Sequence, residues 1–294
     1  MDKPALSLTA HAKVNLALHV TGQREDGYHL IDSLVAFTDF GDQITAQPAE
    51  TNSFELCGPF AKKLDGDLND NLIINARDTL ARFANETGHK TTPVSLTCEK
   101  NLPVASGLGG GSADAAATLN LLIQLWGLDI SDADLSRIAL DLGADVPMCL
   151  KSRPLIAKGI GEDITLVSLF PKSYIVLVNP MVGVSTPVIF KALKTKQNGL
   201  LNSPSKIGNF DQLLKVIDQN RNDLQTPAID HCPEIANCLD ILLKTNSVCV
   251  RMSGSGASCF AVYDDETQAL NSAQTIATLQ PDWFVQSTHL LGRE

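Results

Sequence analysis

The stretch from Pro103 to Ala117 constrains the fold of this chain more than any other part of its sequence. It reads PVASGLGGGSADAAA, so a loop with almost no side chains leads directly into an alanine-rich segment typical of a helix. Glycine tolerates positive φ and lets a ligand lie against bare backbone N–H groups. The first turn of a helix adds unpaired N–H donors and the positive end of the helix dipole. The pattern therefore predicts a cradle for an anion such as phosphate.

The residues on either side argue against the alternative that these glycines form a flexible linker. Before them, Val94, Leu96 and Cys98 alternate with polar residues, which predicts a half-buried strand. After them, apolar residues recur on one helical face and a glycine stands where the helix would end, namely Ala115, Leu119, Leu122, Trp126 and Gly127. The glycines are therefore expected in a strand-to-helix connection inside a domain.

Two familiar phosphate-binding motifs do not match this loop. The P-loop requires a lysine directly after its last glycine, and none follows here. The dinucleotide-binding fingerprint requires a third glycine at the position that Ser112 occupies. The loop must therefore belong to another class of anion site.

Composition limits the kinds of partner. The net charge of −10 argues against a nucleic acid or an anionic membrane, because both attract basic surfaces. The chain has no long apolar run, and its start, MDKPALSL, lacks the features of a signal peptide, so we expect a cytoplasmic protein. Its seven cysteines form no C-x-x-C pair, and most of them are expected to be core residues.

The length of 294 residues predicts two domains. The chain turns polar and glycine-rich between Lys151 and Asp163, which places the boundary there and gives domains 1–160 and 161–294. In the second half, the predicted order of one strand, helices, two strands, a helix and a strand indicates a ferredoxin-like arrangement. The expected fold class is α+β.

The first predicted strand contains polar residues in a regular pattern. From Leu6 to Val20 the even positions are all apolar, so strand alternation places Lys13 and Asn15 together on the opposite face. Taken by itself, this pattern favours an ordinary solvent-exposed face of a sheet. A functional role for Lys13 is the alternative.

Three further patterns are expected to lie in turns. Tyr28 and His29 end the turn TGQREDGYH; a plain turn does not need them, and packing back onto the sheet from a hairpin tip is their ordinary structural role. Asp145 lies in GADVP, as expected of a turn carboxylate before a proline, and the apolar Met148, Cys149 and Leu150 that follow predict buried structure beside it. Gly254 and Gly256, in RMSGSGASCF, lie between two predicted strands, as expected of a hairpin turn.

Together these motifs resemble those of a known family. A proline, three residues and then GLGGGSA at the start of a helix resemble the nucleotide-binding signature of the GHMP kinases. AKVNLAL, REDGYH, GADVP, TPVIF and RMSGSGASCF follow in family order between Ala12 and Phe260. This combination is similar to the branch of the family that acts on a cytidine diphosphate ester of methylerythritol.

The resemblance implies a two-domain GHMP kinase fold, with an ATP-binding N-terminal domain and a ferredoxin-like C-terminal domain on the substrate side. It implies transfer of phosphate from ATP, with Mg²⁺, to the 2-hydroxyl of 4-diphosphocytidyl-2-C-methyl-D-erythritol, a step of the non-mevalonate isoprenoid pathway. Two alternatives stay open: a GHMP kinase of the homoserine or mevalonate type, and a catalytically silent nucleotide-binding protein. The sequence leaves the metal ligands and the oligomeric state open.

The resemblance also assigns site residues. Lys13 and Asp145 match the catalytic pair, and Asn15 matches a residue that faces the substrate phosphates. Tyr28 and Phe190 match rings that stack on the cytosine, His29 matches the residue that recognises its polar edge, and Gly254 and Gly256 match a loop over the substrate phosphate. The ATP phosphates are expected along the glycine loop, at Pro103, Val104, Ala105, Ser106, Gly107, Leu108, Gly109, Gly110, Gly111, Ser112 and Ala113.

Overall fold

The computed structural model describes residues 4–64 and 71–292, and its contacts divide the chain into two compact units. The first unit comprises Met1–Ala12, Gly41–Val104 and Gly109–Lys151. The second unit comprises Lys13–Phe40, Ala105–Leu108 and Ser152–Glu294. The domain boundary at residue 160 stays a prediction, since the units interleave along the chain.

The strands and helices have the following bounds. The strands are β1 Leu6–Gln23, β2 His29–Pro48, β3 Ser53–Cys57, β4 Val94–Glu99, β5 Leu155–Gly159, β6 Asp163–Leu166, β7 Ser173–Asn179, β8 Cys249–Met252, β9 Cys259–Tyr263 and β10 Phe284–Leu290. The α-helices are α1 Leu72–Glu86, α2 Gly110–Trp126, α3 Asp132–Leu142, α4 Val146–Lys151, α5 Thr186–Ala192, α6 Phe210–Asp218, α7 Gln225–His231, α8 Glu234–Leu243 and α9 Glu266–Leu279.

The first unit packs helices against a small mixed sheet. Strand β4 pairs antiparallel with the end of β2, from Gln43 opposite Glu99 to Pro48 opposite Val94, and β3 pairs parallel with β4. The predicted half-buried strand is confirmed as β4, whose apolar side chains are buried and whose polar ones are more exposed. Helix α2 packs against α1 and α4. Strand β4 therefore lies between β3 and β2, and the glycine-rich start of α2 follows it along the chain.

The second unit contains the predicted ferredoxin-like arrangement. Its antiparallel strands follow the spatial order β10-β7-β9-β8, and α5 to α8 connect β7 to β8 while α9 connects β9 to β10. The buried side chains beneath this sheet include Val176, Val178, Ile189, Ile235, Leu239, Ala261, Tyr263 and Ile276. The fold class α+β and the ferredoxin-like second half are therefore confirmed.

The segment between Lys151 and Asp163 forms sheet rather than an irregular connection. Strand β5 pairs antiparallel with β2, from Ile31 opposite Gly159 to Val35 opposite Leu155, and also pairs with β6. The first three residues of β5 are buried. Because polar and glycine-rich residues stand on both sides of them, the sequence pattern did not predict this strand. No helix in the described ranges is long and apolar enough to cross a membrane.

Helix ends follow the capping signals of the sequence. Ser131 Oγ accepts a hydrogen bond from Asp134 N at 3.1 Å and starts α3, while Asn71 Oδ1 accepts one from Ile73 N at 2.9 Å and starts α1. Such caps satisfy N–H groups that have no partner inside the helix. The predicted end of α2 is confirmed, since Gly127 follows it with φ of 67°.

Candidate active site

In the second unit, the loop 105–108 lies against the connection between β8 and β9. Gly107 has φ of 79°, and a Cβ atom there would lie 2.7 Å from the carbonyl oxygens of Ser253 and Gly256. No real side chain tolerates both conditions, so this position requires glycine. Ala105 also has a positive φ, of 52°, which costs about 1–2 kcal/mol for a residue with a side chain. The backbone here is thus held in one close-packed shape.

Strand β1 brings Lys13 and Asn15 to this loop. Lys13 N donates to Leu108 O at 2.8 Å, and Lys13 Nζ donates to Asn15 Oδ1 at 3.1 Å. Asn15 Nδ2 donates to Ser33 Oγ at 2.8 Å. The side chains of Lys13 and Asn15 are only 6% and 2% exposed, which excludes the interpretation of this face as a solvent-exposed sheet surface. Both side chains are therefore held in buried, hydrogen-bonded positions beside the glycine loop.

Ser253 ties these elements together. Its Oγ accepts a hydrogen bond from Asn15 N at 3.1 Å and donates one to Gly107 O at 3.2 Å. A second link joins the same two loops, since Ser258 N donates to Ser106 O at 3.0 Å. The second unit therefore brings together Lys13, Asn15, Gly107 and the loop that contains Gly254. All four were assigned to the site in the sequence analysis.

The start of α2 lies in the first unit. Gly109 is its N-cap residue, with φ of 67° and ψ of 20°, and forms no side-chain cap hydrogen bond. The first N–H groups of the helix are therefore left without a side-chain partner at the N-cap, as an anion site requires. Gly110 to Ala113 form the first turn, and Pro103 and Val104 precede it in the same unit.

A buried ion cluster, which the sequence analysis missed, supports this helix start. Lys100 Nζ lies 2.5 Å from both Asp42 Oδ2 and Asp114 Oδ2. Asp42 Oδ1 also accepts hydrogen bonds from Asn101 N at 2.6 Å and Leu102 N at 2.7 Å. A Cβ atom on Gly110 would lie 3.3 Å from Lys100 Nζ, so the cluster touches the first turn of α2. It joins the end of β4, the loop after it and the glycine helix.

The cluster contains two carboxyl groups and only one ammonium group. Burial raises the pKa of Asp114 to about 7, against the opposing positive charge of Lys100. Burial alone would lower the pKa of Lys100, but Asp114 and Asp42 together raise it above its usual range. One signal in the sequence could have revealed the cluster, namely an aspartate inside a run of alanines shortly after a lysine. A charge at such a position of a buried helix needs a partner.

Asp145, the proposed catalytic carboxylate, lies in the first unit. It is half-buried directly before α4, and its carbonyl oxygen accepts a hydrogen bond from Cys149 N at 3.2 Å. Val146, Pro147, Met148 and Cys149 are buried, as expected from the sequence. Asp145 is thus held at the start of a well-packed helix, where its position is restricted.

The proposed cytosine-binding residues lie in the second unit. The rings of His29 and Phe190 are 4.9 Å apart, centroid to centroid, and inclined by 32°. His29 Nε2 is buried and has no hydrogen-bond partner within the described ranges. Burial and, after it, the positive charge of Lys196 lower the pKa of His29, which favours a neutral ring. Tyr28 is 58% exposed, so its ring is available to stack on a ligand.

Comparison with known proteins identifies the family. The model of the GHMP kinases N terminal domain matches residues 71–153, and that of the GHMP kinases C terminal domain matches residues 180–276. The chain is 49% identical over 283 residues to the 4-diphosphocytidyl-2-C-methyl-D-erythritol kinase of Rhizobium etli (strain CIAT 652), covering 96% of this chain and 94% of that protein. The corresponding protein of Agrobacterium fabrum is 49% identical over 284 residues, covering 96% of this chain and 95% of that protein.

Solved structures agree with this assignment. A crystal structure of 4-(cytidine 5'-diphospho)-2C-methyl-D-erythritol kinase superposes with a TM-score of 0.79 at 27% identity, covering 97% of this chain and 99% of the other. Homoserine kinase from Cytophaga hutchinsonii, at 17% identity and a TM-score of 0.71, covers 99% of this chain and 96% of its own and shares the fold. The chain therefore belongs to the GHMP kinase family, in its 4-diphosphocytidyl-2-C-methyl-D-erythritol kinase branch.

Proposed function

We propose that this protein phosphorylates the 2-hydroxyl of 4-diphosphocytidyl-2-C-methyl-D-erythritol with ATP and gives its 2-phosphate, in the non-mevalonate pathway of isoprenoid precursor biosynthesis. The observation that carries the proposal is the pairing of His29 with Phe190, 4.9 Å apart, beside an exposed Tyr28. A kinase for mevalonate or homoserine has no base to bind and needs no such set. We also propose the cytoplasm as its location.

The ATP phosphates are bound by the glycine loop and the first turn of α2. Two observations fit this role: Gly107 lies where a Cβ atom would collide with backbone, and α2 has no side-chain cap at Gly109. Backbone N–H groups at a helix start bind phosphate without the help of a lysine side chain. The Asp42–Lys100–Asp114 cluster holds this start in place from the side of β4.

Lys13 and Asp145 are proposed to serve the reaction itself. Phosphoryl transfer requires mainly alignment of the reacting groups and stabilisation of the spreading negative charge. Lys13, held by Asn15 at 3.1 Å, supplies a fixed positive charge for that purpose. Asp145 orients the substrate hydroxyl and accepts its proton.

Mg²⁺ is proposed as the metal that accompanies ATP. Within the described residues, no group of three or more His, Cys, Asp or Glu side chains gathers into a cage for a metal ion. This fits Mg²⁺, which is usually bound by substrate phosphates and one or two carboxylates rather than by a protein cage. When bound, the ion would supply charge neutralisation at the phosphates.

The cytosine is recognised by stacking and by one polar contact. Tyr28 and Phe190 offer ring faces, and stacking of this kind contributes about 1–3 kcal/mol per base without distinguishing one base from another. The neutral ring of His29 has a buried nitrogen, Nε2, that still needs a hydrogen-bond partner. An unpaired buried polar atom is unfavourable, so a base that satisfies it is selected.

The test is a comparison of phosphoryl acceptors. ATP consumption is measured with the purified protein and, in turn, the cytidyl diphosphate ester of methylerythritol, mevalonate, homoserine and galactose. We expect turnover with the first compound alone. Turnover with another acceptor would assign the protein to a different branch, and no turnover with any of them would support a silent nucleotide-binding protein.

A further inference from the structure

A buried asparagine outside the known motifs contacts the loop between β8 and β9. Asn222 is 6% exposed and lies between α6 and α7. Its Nδ2 donates to Met252 O at 2.9 Å and to Gly254 O at 2.8 Å, while its Oδ1 accepts a hydrogen bond from Leu224 N at 2.9 Å. Both amide hydrogens and the amide oxygen are therefore used, which only an amide side chain can achieve here.

The backbone around Asn222 is fixed to the strand that carries the proposed catalytic lysine. Leu18 N donates to Arg221 O at 2.9 Å, and Asp223 N donates to Leu18 O at 2.8 Å. The carboxylate of Asp223 also accepts a hydrogen bond from Val20 N at 2.8 Å. Asn222 thus extends from the edge of β1 to the loop after β8.

The two carbonyl groups that Asn222 binds flank Ser253. Ser253 in turn joins Asn15 N and Gly107 O through its hydroxyl group, at 3.1 and 3.2 Å. A trans peptide points its N–H away from its C=O. Because Asn222 holds Gly254 O, the N–H of Ser255 must point away from Asn222, and this N–H has no partner among the described residues.

We propose that Asn222 is a positioning residue for phosphoryl transfer, which sets the Ser253–Ser258 loop so that its free N–H meets the phosphate of the acceptor substrate. The proposal rests on the kinase function proposed above. Asn222 contacts neither substrate in this arrangement. Its effect on the reaction passes through the peptide groups of Met252 and Gly254.

The test uses Asn222→Asp, which keeps the size and removes the donors. At pH 8 the carboxylate faces two carbonyl oxygens, cannot donate to them and leaves the loop free to shift. A displacement of about 1 Å costs on the order of 100-fold in rate, so we expect kcat/KM for the acceptor to fall by about that factor. Burial and the facing carbonyls raise the pKa of such a carboxyl, so lowering the pH should protonate it and restore one donor.

The diagnostic result is the ratio of variant to wild-type kcat/KM across pH 5.5 to 8. We expect the ratio for Asn222→Asp to rise by about fivefold as the pH falls, since one hydrogen bond is regained and its net contribution of about 1 kcal/mol corresponds to that factor. Alanine has no group that titrates in this range. Asn222→Ala should therefore lose a similar share of kcat/KM at pH 8, and its ratio to wild type should stay constant across the pH range.

Asn220 offers a matched control. It is 5% exposed, its Nδ2 donates to Asn202 O and Val216 O, and its Oδ1 accepts a hydrogen bond from Asn202 N, so its chemistry is the same. None of these bonds reaches the loop after β8. Asn220→Asp should lower thermal stability without a pH-dependent loss of kcat/KM.

Three results would overturn the role of Asn222: wild-type kcat/KM in a folded variant, a ratio independent of pH for Asn222→Asp, or the same pH response in Asn220→Asp. If Asn222→Asp is unfolded at pH 8, Asn222→Ala decides, because full activity in that variant overturns the proposal and a loss of about 100-fold supports it. All kcat/KM ratios are measured with the acceptor that the wild-type protein phosphorylates. A wrong substrate assignment would therefore show in the choice of acceptor by wild-type protein, whereas a wrong role for Asn222 would show only in the variants.

Discussion

Asp114 gives the sharpest test of how the glycine helix is held. The carboxylate is 4% exposed, its Oδ2 lies 2.5 Å from Lys100 Nζ, and its Oδ1 has no hydrogen-bond partner in the described part of the chain. Lys100 also forms an ion pair with Asp42, so one positive charge faces two carboxylates. Replacing Asp114 by Asn keeps the shape of the side chain and removes the surplus negative charge.

The expected magnitude follows from the pKa of Asp114, which burial raises from 3.8 to about 7. The folded protein then binds this proton more tightly than the unfolded chain does, so stability falls as the pH rises from about 4 to 7. Fully developed, the shift corresponds to at most about 4 kcal/mol. Between pH 5 and pH 8 the stability difference should therefore move in favour of Asp114→Asn by roughly 2–3 kcal/mol.

Urea unfolding at pH 5, 6, 7 and 8 measures this difference. The chain has two tryptophans, and Trp126, at the end of α2, reports on the first unit. A Trp283→Phe background, used for every protein compared, leaves its fluorescence as the signal. Asp129→Asn, which removes a carboxylate at an exposed position of the same unit, is the matched control.

A constant difference between wild type and Asp114→Asn across this pH range would refute the reasoning. It would mean that Lys100 compensates both carboxylates fully and that Asp114 stays ionised well below pH 7. A difference that moves in favour of wild type as the pH rises would refute it more strongly, because the sign of the linkage would then be reversed.

The remaining predictions concern the substrate sites. Gly107→Ala should weaken ATP binding at least tenfold, measured by calorimetry, because its Cβ would lie 2.7 Å from two carbonyl oxygens, whereas Gly183→Ala, whose Cβ would have no neighbour within 4 Å, should bind normally. Asp145→Asn should lower kcat by ~10²–10⁴ with nearly unchanged ATP affinity; turnover close to wild type would remove Asp145 from its role. Tyr28→Ala should raise KM for the cytidyl substrate and keep the preference for cytidine over uridine, whereas His29→Ala should erode that preference, and equal effects in both variants would contradict the division of roles.

Local interactions made much of the fold predictable. The alternation of β4, the cap of α3 at Ser131 and the end of α2 at Gly127 all agree with the sequence, because each depends on residues within a few positions of one another. The order of strands and helices along the second half was sufficient to predict the ferredoxin-like arrangement. Strand β5 was missed because its three buried residues stand between polar and glycine-rich flanks.

The candidate site was predictable in part. The glycine loop indicated an anion site from its own residues, whereas Lys13 and Asn15 alone favoured a solvent-exposed face until the family resemblance was considered. The structure buries both side chains, an outcome that strand alternation cannot foresee. The contact of His29 with Phe190 joins segments that are far apart in the chain and have no local pattern in common.

By itself, the sequence determined the loop-to-helix connection at the glycines, the main strands and helices, and the family motifs in their order. Only the tertiary structure decided that Lys100 lies between Asp42 and Asp114, and that Asn222 holds the loop after β8. The physical reason is the range of the interactions. Helix capping, turn geometry and side-chain periodicity depend on near neighbours in the chain, whereas a buried charge or amide is satisfied by whichever distant groups the fold brings within 3 Å.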